Sequence, residues 1–72
     1  MKLDLHGVKH ENVSRKIDTF IWDSFGRSLH QVVIVTGNSP EMKKLVNKCL
    51  DEYGLVSYEH SLNTGVLIVD LI

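Results

Sequence analysis

The chain has 72 residues, of which 43% are apolar and 24% are charged. This length suits one small domain that buries about 60% of its unfolded surface, and the composition excludes a disordered tail. The formal net charge of -1 lacks the positive excess of a sequence-indifferent nucleic-acid binder, so any binding to nucleic acid has to depend on a local cluster of cations.

The single cysteine, Cys49, excludes a disulfide within the chain and suits a reducing compartment. No segment approaches the run of about 20 apolar residues that a membrane span needs, and the first four residues lack the apolar core of a signal peptide. We therefore expect one domain over residues 1–72 that is cytoplasmic and does not contact a membrane.

The first stretch, Leu-Asp-Leu-His-Gly at residues 3–7, predicts a strand that ends at a glycine. Because side chains alternate along a strand, the two leucines share one face while Asp4 and His6 share the other, with their Cα atoms about 6–7 Å apart. A carboxylate and an imidazole at this separation can contact one substrate, although the same spacing also fits a merely solvated strand face. Gly7 then permits a turn.

The next segment predicts an amphipathic helix from about residue 10 or 11 to residue 25, with Asn12 as a candidate N-cap and Gly26 as its stop. Its apolar stripe comprises Val13, Ile17, Phe20, Ile21 and Ser24. Trp22 falls on the opposite face. There it either covers the stems of neighbouring side chains or contacts a partner or a second copy.

An uninterrupted β-branched run, Gln31 to Val35, predicts a buried strand in the middle of the sheet, parallel to the first and reached by a right-handed crossover. A turn follows, in which Ser39 is the natural N-cap of a second helix and Pro40 its first residue. Gly54 ends that helix. Its apolar stripe is Met42, Leu45, Val46, Cys49, Leu50 and Tyr53, which makes the cysteine a core residue.

The remaining chain predicts a hairpin, with a strand over residues 55–60, a turn over residues 61–65 and a second buried strand over residues 66–72. The element order is therefore βαβαββ. The expected fold is a two-layer α/β sandwich with a mixed four-stranded sheet and two helices on one face.

The predicted strand ends bring the polar residues together. The carboxyl ends of neighbouring parallel strands meet at one sheet edge, so we expect the first-strand residues and the turn before the second helix to form a common rim. That turn holds Thr36, Gly37, Asn38 and Ser39. The N-terminus of the second helix, with Lys43 or Lys44 one turn in, would bind a phosphate.

A metal site is not indicated by the sequence. Asp4 and His6 alone are too few ligands for a closed site, and His10, His30 and His60 stand on other segments. We expect no cofactor, and a divalent metal at the rim remains an open alternative.

Three motifs, residues 3–7, Thr36 with Gly37, and the Asn-Thr-Gly of residues 63–65, resemble the Smr (small MutS-related) domain family over nearly the whole chain. The resemblance implies the same βαβαββ fold and endonuclease activity on RNA or DNA, or nucleic-acid binding. It assigns the functional positions to Asp4, His6, Gly7, Thr36 and Gly37.

The second motif departs from the family pattern. That pattern is His-Gly-x-Gly or Thr-Gly-x-Gly, often with a basic residue at x, whereas this chain has Asn38 and Ser39 there. Binding should be weakened more than chemistry by these two departures.

These arguments predict an Smr-like nucleic-acid-binding domain with endonuclease activity, with RNA favoured over DNA as the partner. The alternative is a non-catalytic module that binds RNA or a protein partner, such as a nuclease or a ribosomal protein, through Trp22 and the acidic residues Asp18 and Asp23. Charge discriminates between them, since a nuclease needs a positive rim near His6.

Overall fold

The computed structural model describes residues 1–71. The elements are β1 (Lys2–Asp4), α1 (His10–Gly26), β2 (Gln31–Val35), α2 (Pro40–Asp51), β3 (Ser57–His60) and β4 (Asn63–Asp70). The sheet order is β1-β2-β4-β3, in which β1 and β2 are parallel and the other two pairs are antiparallel. The predicted mixed α/β fold is confirmed. Within residues 1–71, neither helix is long and apolar enough to cross a bilayer.

The core lies between the two helices and one face of the sheet. It comprises Leu5, Val13, Ile17, Phe20, Ile21, Val32, Ile34, Met42, Val46, Cys49, Leu50, Leu67 and Val69. Both helical stripes were therefore predicted correctly, except that Leu45 and Tyr53 are only half-buried and Tyr53 lies beyond the last residue of α2. Burial raises the pKa of the Cys49 thiol above its usual value, which keeps it protonated as a core residue should be.

The strand β2 lies between β1 and β4, as predicted, but it is not buried on both faces. Val33 and Val35 are only half-buried, as are Val66 and Ile68 on β4, whereas the residues that alternate with them are buried. The cause is that the helices cover one sheet face only. A β-branched run here reflects a central position in the sheet rather than two covered faces.

The start of α1 differs from the prediction. The N-cap position is Lys9, which makes no side-chain capping bond, and Asn12 lies inside the first turn. There Asn12 Oδ1 accepts a hydrogen bond from Arg15 Nη2 at 3.3 Å. The prediction of Asn12 as the cap was therefore wrong, because a side chain within the first turn faces along the helix surface and not back to the first free N–H groups.

The end of α1 places the left-handed residue at Ser28, with φ of 56°, and not at Gly26. The N–H of Leu29 donates to Ser24 O at 3.2 Å, and the N–H of Ser28 donates to Phe25 O at 3.0 Å. This pair of bonds is a Schellman motif, which requires a left-handed residue at the position that Ser28 occupies. Gly26 is the last helical residue, one beyond the predicted end, and the left-handed position lies two residues after the glycine.

The boundaries of α2 match the prediction. Ser39 Oγ accepts the N–H of Met42 at 3.1 Å, and Pro40 is the first helical residue. At the other end Gly54 has a φ of 70°, and the N–H of Leu55 donates to Leu50 O at 3.0 Å. Short-range capping chemistry fixes both ends of this helix.

The closing hairpin has a shorter turn than predicted. His60 pairs with Asn63, so only Ser61 and Leu62 form the turn, and residues 63–65 belong to β4. His60 Nδ1 accepts the N–H of Leu62 at 3.0 Å, which stabilises this tight connection. The strand before it begins at Ser57 and not at residue 55. The predicted end of the last strand, at residue 72, lies outside the described residues.

Candidate functional site

The rim begins where β1 ends. Beyond the strand, Leu5 N–H still donates to Val35 O at 2.8 Å, so the parallel pairing with β2 extends to a buried Leu5. The chain then turns sharply, with Val8 N–H donating to Leu5 O at 3.0 Å and with Gly7 at a φ of 79°. A residue with a β-carbon would be strained at that angle. The turn leaves His6 exposed on the rim.

Asp4 supports this turn. Its Oδ1 accepts the backbone N–H of His6 at 2.9 Å, and its side chain is exposed. Since Asp4 pairs with Val35 in the sheet, its carboxylate stands on the face that the helices do not cover. The two predicted catalytic residues are thus joined by a carboxylate-to-backbone hydrogen bond. Among residues 1–71, no three His, Cys, Asp or Glu side chains are grouped so that they could hold a metal ion.

The imidazole of His6 packs on Gly37, the second residue after the end of β2. A β-carbon built on Gly37 would lie 3.1 Å from His6 Cδ2 and 3.9 Å from His6 Nε2. The φ of Gly37 is 67°, which also favours glycine. The structure therefore brings together the two predicted strand ends, with the ring of His6 against Gly37.

Gly65 on β4 forms the next layer beneath Gly37. Its carbonyl oxygen accepts the N–H groups of Thr36 at 2.9 Å and Gly37 at 3.1 Å. A β-carbon on Gly65 would lie 3.2 Å from Gly37 Cα, so this position also requires a very small residue. Sequence reasoning placed Gly65 in a turn and missed it as part of the site. The one available signal was its place in the third motif of the resemblance.

The other residues of the second motif hold the loop together. Thr36 is buried, and its Oγ1 donates to Gly37 O at 2.8 Å. Asn38 is exposed, and its Oδ1 accepts the hydroxyl of Thr64 at 2.9 Å. Of these two predicted nucleic-acid contacts, only Asn38 lies on the surface, whereas Thr36 supports the loop from beneath.

The N-terminus of α2 offers fewer donors than predicted. Pro40 has no N–H, and the N–H of Met42 is already bound by Ser39 Oγ. Glu41 in the first turn adds a negative charge where a phosphate would approach. These features weaken the predicted phosphate site at this helix end.

The two predicted phosphate-binding lysines point in different directions. Lys43 Nζ forms an ion pair with Glu59 Oε1 on β3 at 3.1 Å, and the lysine side chain is only 19% exposed. Lys44 is exposed and faces α1. Successive helical residues differ by about 100° in direction, so one lysine reaches the sheet while the other reaches the neighbouring helix.

Lys44 lines a groove of about 420 Å³ between the start of α1 and α2. The groove is lined by His10, Glu41, Lys44, Leu45 and Lys48. Two of these side chains are lysines, one is a histidine and one is the acidic Glu41, so the charges of Lys44 and Lys48 lie at this groove. The sequence indicated a local basic cluster of Lys43, Lys44 and Lys48, but it did not indicate His10. Lys44 and Lys48 share a helix face because they are four residues apart.

Trp22 lies at the other end of α1, away from the rim. It is 66% exposed, and its ring meets Phe25 and Tyr53 in edge contacts with centroid separations of 6.3 Å and 6.4 Å. Trp22 therefore packs edge-on against two aromatic rings.

The family model of the Smr domain matches residues 3–71. The chain belongs to the Smr domain family. It is similar in structure to the Smr domain of Thermus thermophilus MutS2, with a TM-score of 0.81 and 14% sequence identity over 99% of this chain and 96% of that chain. At this identity the likeness shows the fold. A search of curated proteins finds no match.

Within this Smr domain, both departures in the second motif have structural roles. Ser39, where the family pattern has its second glycine, caps α2 through Met42. Asn38 joins the loop to Thr64 on β4. The loop after β2 is therefore fixed by side-chain hydrogen bonds at the positions where the pattern leaves glycine or a cation.

Proposed function

We propose that this Smr domain binds RNA and cleaves its phosphodiester backbone at the rim that carries Asp4 and His6. The observation that supports the proposal is the packing of the exposed His6 imidazole on Gly37, at the strand ends where the Asp4 carboxylate binds the backbone N–H of His6. An imidazole in a fixed position suits proton transfer near neutral pH.

In the proposed reaction, His6 removes a proton from the attacking hydroxyl, and the oxygen attacks phosphorus as the bond to the leaving oxygen breaks. The protonated imidazole or water then supplies a proton to that leaving oxygen. Asp4 fixes the backbone at His6 and orients the reacting hydroxyl. A ribose 2′-hydroxyl is already held next to the phosphorus, so RNA demands less of a small, open site than DNA does.

The basic side chains of the groove would bind the phosphates of the RNA. Lys44 and Lys48 stand on one face of α2, and His10 faces them from the start of α1, four residues beyond His6. A backbone that passes over His6 would continue along this groove, where phosphate contacts release counterions. A local cluster of this kind allows binding despite a net charge of -1.

The test is a cleavage assay on end-labelled single-stranded RNA, structured RNA and duplex DNA, with binding followed by gel shift on the same samples. We expect His6→Ala to abolish cleavage while retaining binding. The matched control is His30→Ala, because His30 is an exposed histidine just before β2, at the end opposite the rim.

Cleavage that survives His6→Ala would overturn the assignment of the base. Wild-type protein that binds none of the three substrates would overturn the proposal as a whole. The ends of the RNA fragments identify the nucleophile, since attack by the 2′-hydroxyl leaves a cyclic phosphate and attack by water does not.

A further inference from the structure

The far ends of the two helices form an exposed aromatic surface that the rim does not use. Its members are Trp22, Phe25 and Tyr53, and we refer to them as the aromatic surface. Trp22 is 66% and Phe25 is 38% exposed, and Tyr53 is half-buried beneath them. Both helices begin at the rim, and Trp22 lies twelve residues beyond the first residue of α1, which at 1.5 Å per residue is roughly 18 Å along the helix.

The aromatic surface is ordered by a hydrogen bond between the helices. Tyr53 OH donates to Asp18 Oδ1 at 2.6 Å, and Trp22 meets the Tyr53 ring edge-on. This bond holds the end of α2 against the middle of α1 and supports the indole from one side. Most of the indole still faces solvent, which is unfavourable for the largest apolar side chain in the chain unless something covers it.

Negative charge surrounds the aromatic surface. Asp18 and Glu52 both act on Tyr53, and together with burial they raise its pKa to about 12, with the hydrogen bond to Asp18 as the largest cause. Asp51 closes α2, and Asp23 lies in the last turn of α1, where Arg27 pairs with it at 3.2 Å.

Most of these acidic side chains lie near helix C-termini, where the helix dipole disfavours negative charge. The C-terminus of a helix carries a partial negative charge, so acidic side chains there reduce helix stability. The last turn of α1 has no basic residue, although its C-cap residue Arg27 pairs with Asp23. The last turn of α2 holds Lys48 ahead of Asp51 and Glu52, so the acids in excess are those beside Tyr53. Both helix ends therefore add to the negative potential of the acids. A surface with these charges would attract a cation and repel the phosphates of a nucleic acid.

We propose that the aromatic surface, with Asp18 and Glu52 beside it, is a docking site for an arginine-bearing segment of a partner protein. A guanidinium can stack on an indole and also pair with a carboxylate, which a lysine does less well. The site is separate from the rim, so the docking proposal can be tested independently of the proposed nuclease activity.

The experiment uses the full chain and a synthetic ten-residue peptide that carries four arginines separated by glycine and serine. Trp22 is the only tryptophan of the chain, so its fluorescence reports directly on this surface. We expect a saturable change in emission that weakens as salt is added. A peptide with lysine in place of arginine should bind about threefold more weakly. A peptide with glutamine in place of arginine should not bind.

Variants are measured by the anisotropy of the labelled arginine peptide. Trp22→Ala should weaken binding of the peptide by about tenfold, because it removes both the stacking of the guanidinium on the indole and the apolar surface that the peptide buries. Asp18→Asn keeps an acceptor for Tyr53 OH but removes the charge, and Glu52→Gln likewise removes a charge, so each should weaken binding and reduce its salt dependence. The control is Tyr58→Ala, an exposed aromatic on β3, which should leave binding unchanged.

Three results would overturn the proposal. The first is an arginine peptide that binds wild type and Trp22→Ala equally, or does not bind at all. The second is loss of RNA affinity in Trp22→Ala, which would assign the surface to nucleic acid. The third is a wild-type dimer in sedimentation that Trp22→Ala converts to monomer, which would make a second copy the occupant.

Discussion

The imidazole of His6 lies against Gly37, so close that a β-carbon there would stand 3.1 Å from His6 Cδ2. The contact joins the end of β1 to the end of β2 and places the exposed imidazole of His6 against the loop after β2. A glycine at this position is thus required twice, by its φ of 67° and by the ring above it.

Gly37→Ala tests this relationship. Alanine at a left-handed angle costs about 1–2 kcal/mol of stability, and its methyl group would displace the imidazole. We expect cleavage of RNA to fall by about 100-fold, since small misplacement of a catalytic group is enough for that loss. Gly54→Ala is the matched control, because Gly54 has a φ of 70° with open space around it, at the far end of the domain. It should lose similar stability in urea unfolding and keep its activity.

The two adjacent lysines of α2 should differ in their effect on RNA binding. Lys44→Ala and Lys48→Ala each remove a cation from the groove, so the slope of log affinity against log salt should decrease by about 0.7 for single-stranded RNA. Lys43→Ala should leave the slope unchanged, because Lys43 pairs with Glu59 on β3. The slope is measured by filter binding at four salt concentrations. Equal effects of the three substitutions would contradict the groove assignment.

Ser28→Gly should stabilise the domain. Ser28 has a φ of 56°, where glycine is less strained. Glycine also has more conformational entropy in the unfolded chain, so we expect the free energy of unfolding to rise by only about 0.5–1 kcal/mol. Gly26→Ala should stabilise by a similar amount, since Gly26 is helical with open space around it. Destabilisation by Gly26→Ala in a urea titration would show that Gly26, and not Ser28, terminates the helix.

Local chemistry explains what was predictable about the fold. Ser39 and Met42 are three residues apart, so the cap of α2 is readable from the sequence, as is Gly54 at its end. The meeting of His6 with Gly37 followed from the rule that neighbouring parallel strands end at one edge. Ser28 escaped prediction because a nearby glycine is the usual left-handed residue, and here the glycine lies two positions too early.

Non-local pairing explains what was missed in the site. The place of Gly65 beneath Gly37 depends on the register of β4 against β2, which no short motif encodes. The local sequence does not distinguish Lys43 from Lys44. Lys43 forms an ion pair with Glu59, which is 16 residues further along the chain, and this pairing directs Lys43 away from the rim. His10 joins the groove because α1 and α2 lie side by side, a relation that helical periodicity alone does not supply.

Tyr53 should make stability depend on pH in the alkaline range. Its pKa is raised from 10 to about 12, chiefly by the hydrogen bond to Asp18, so the folded state holds the phenolic proton more tightly than the unfolded state. The resulting stability is complete below pH 10 and is lost as pH rises from 10 towards 12. Tyr53→Phe should flatten this part of the profile of unfolding free energy. A variant profile that falls as steeply as wild type would assign the pH dependence to another group.

Asp4 has a structural and a proposed catalytic role that two substitutions can separate. Asp4→Asn keeps an amide oxygen to accept the N–H of His6, now bonded at 2.9 Å, but removes the negative charge. It should retain wild-type stability and lose cleavage. Asp4→Ala removes the acceptor as well, so it should also lose about 0.5–1 kcal/mol of stability, the net value of an exposed hydrogen bond. Initial cleavage rates and urea unfolding are measured on both. Full activity in Asp4→Asn would restrict Asp4 to bracing the turn and leave His6 to act without it.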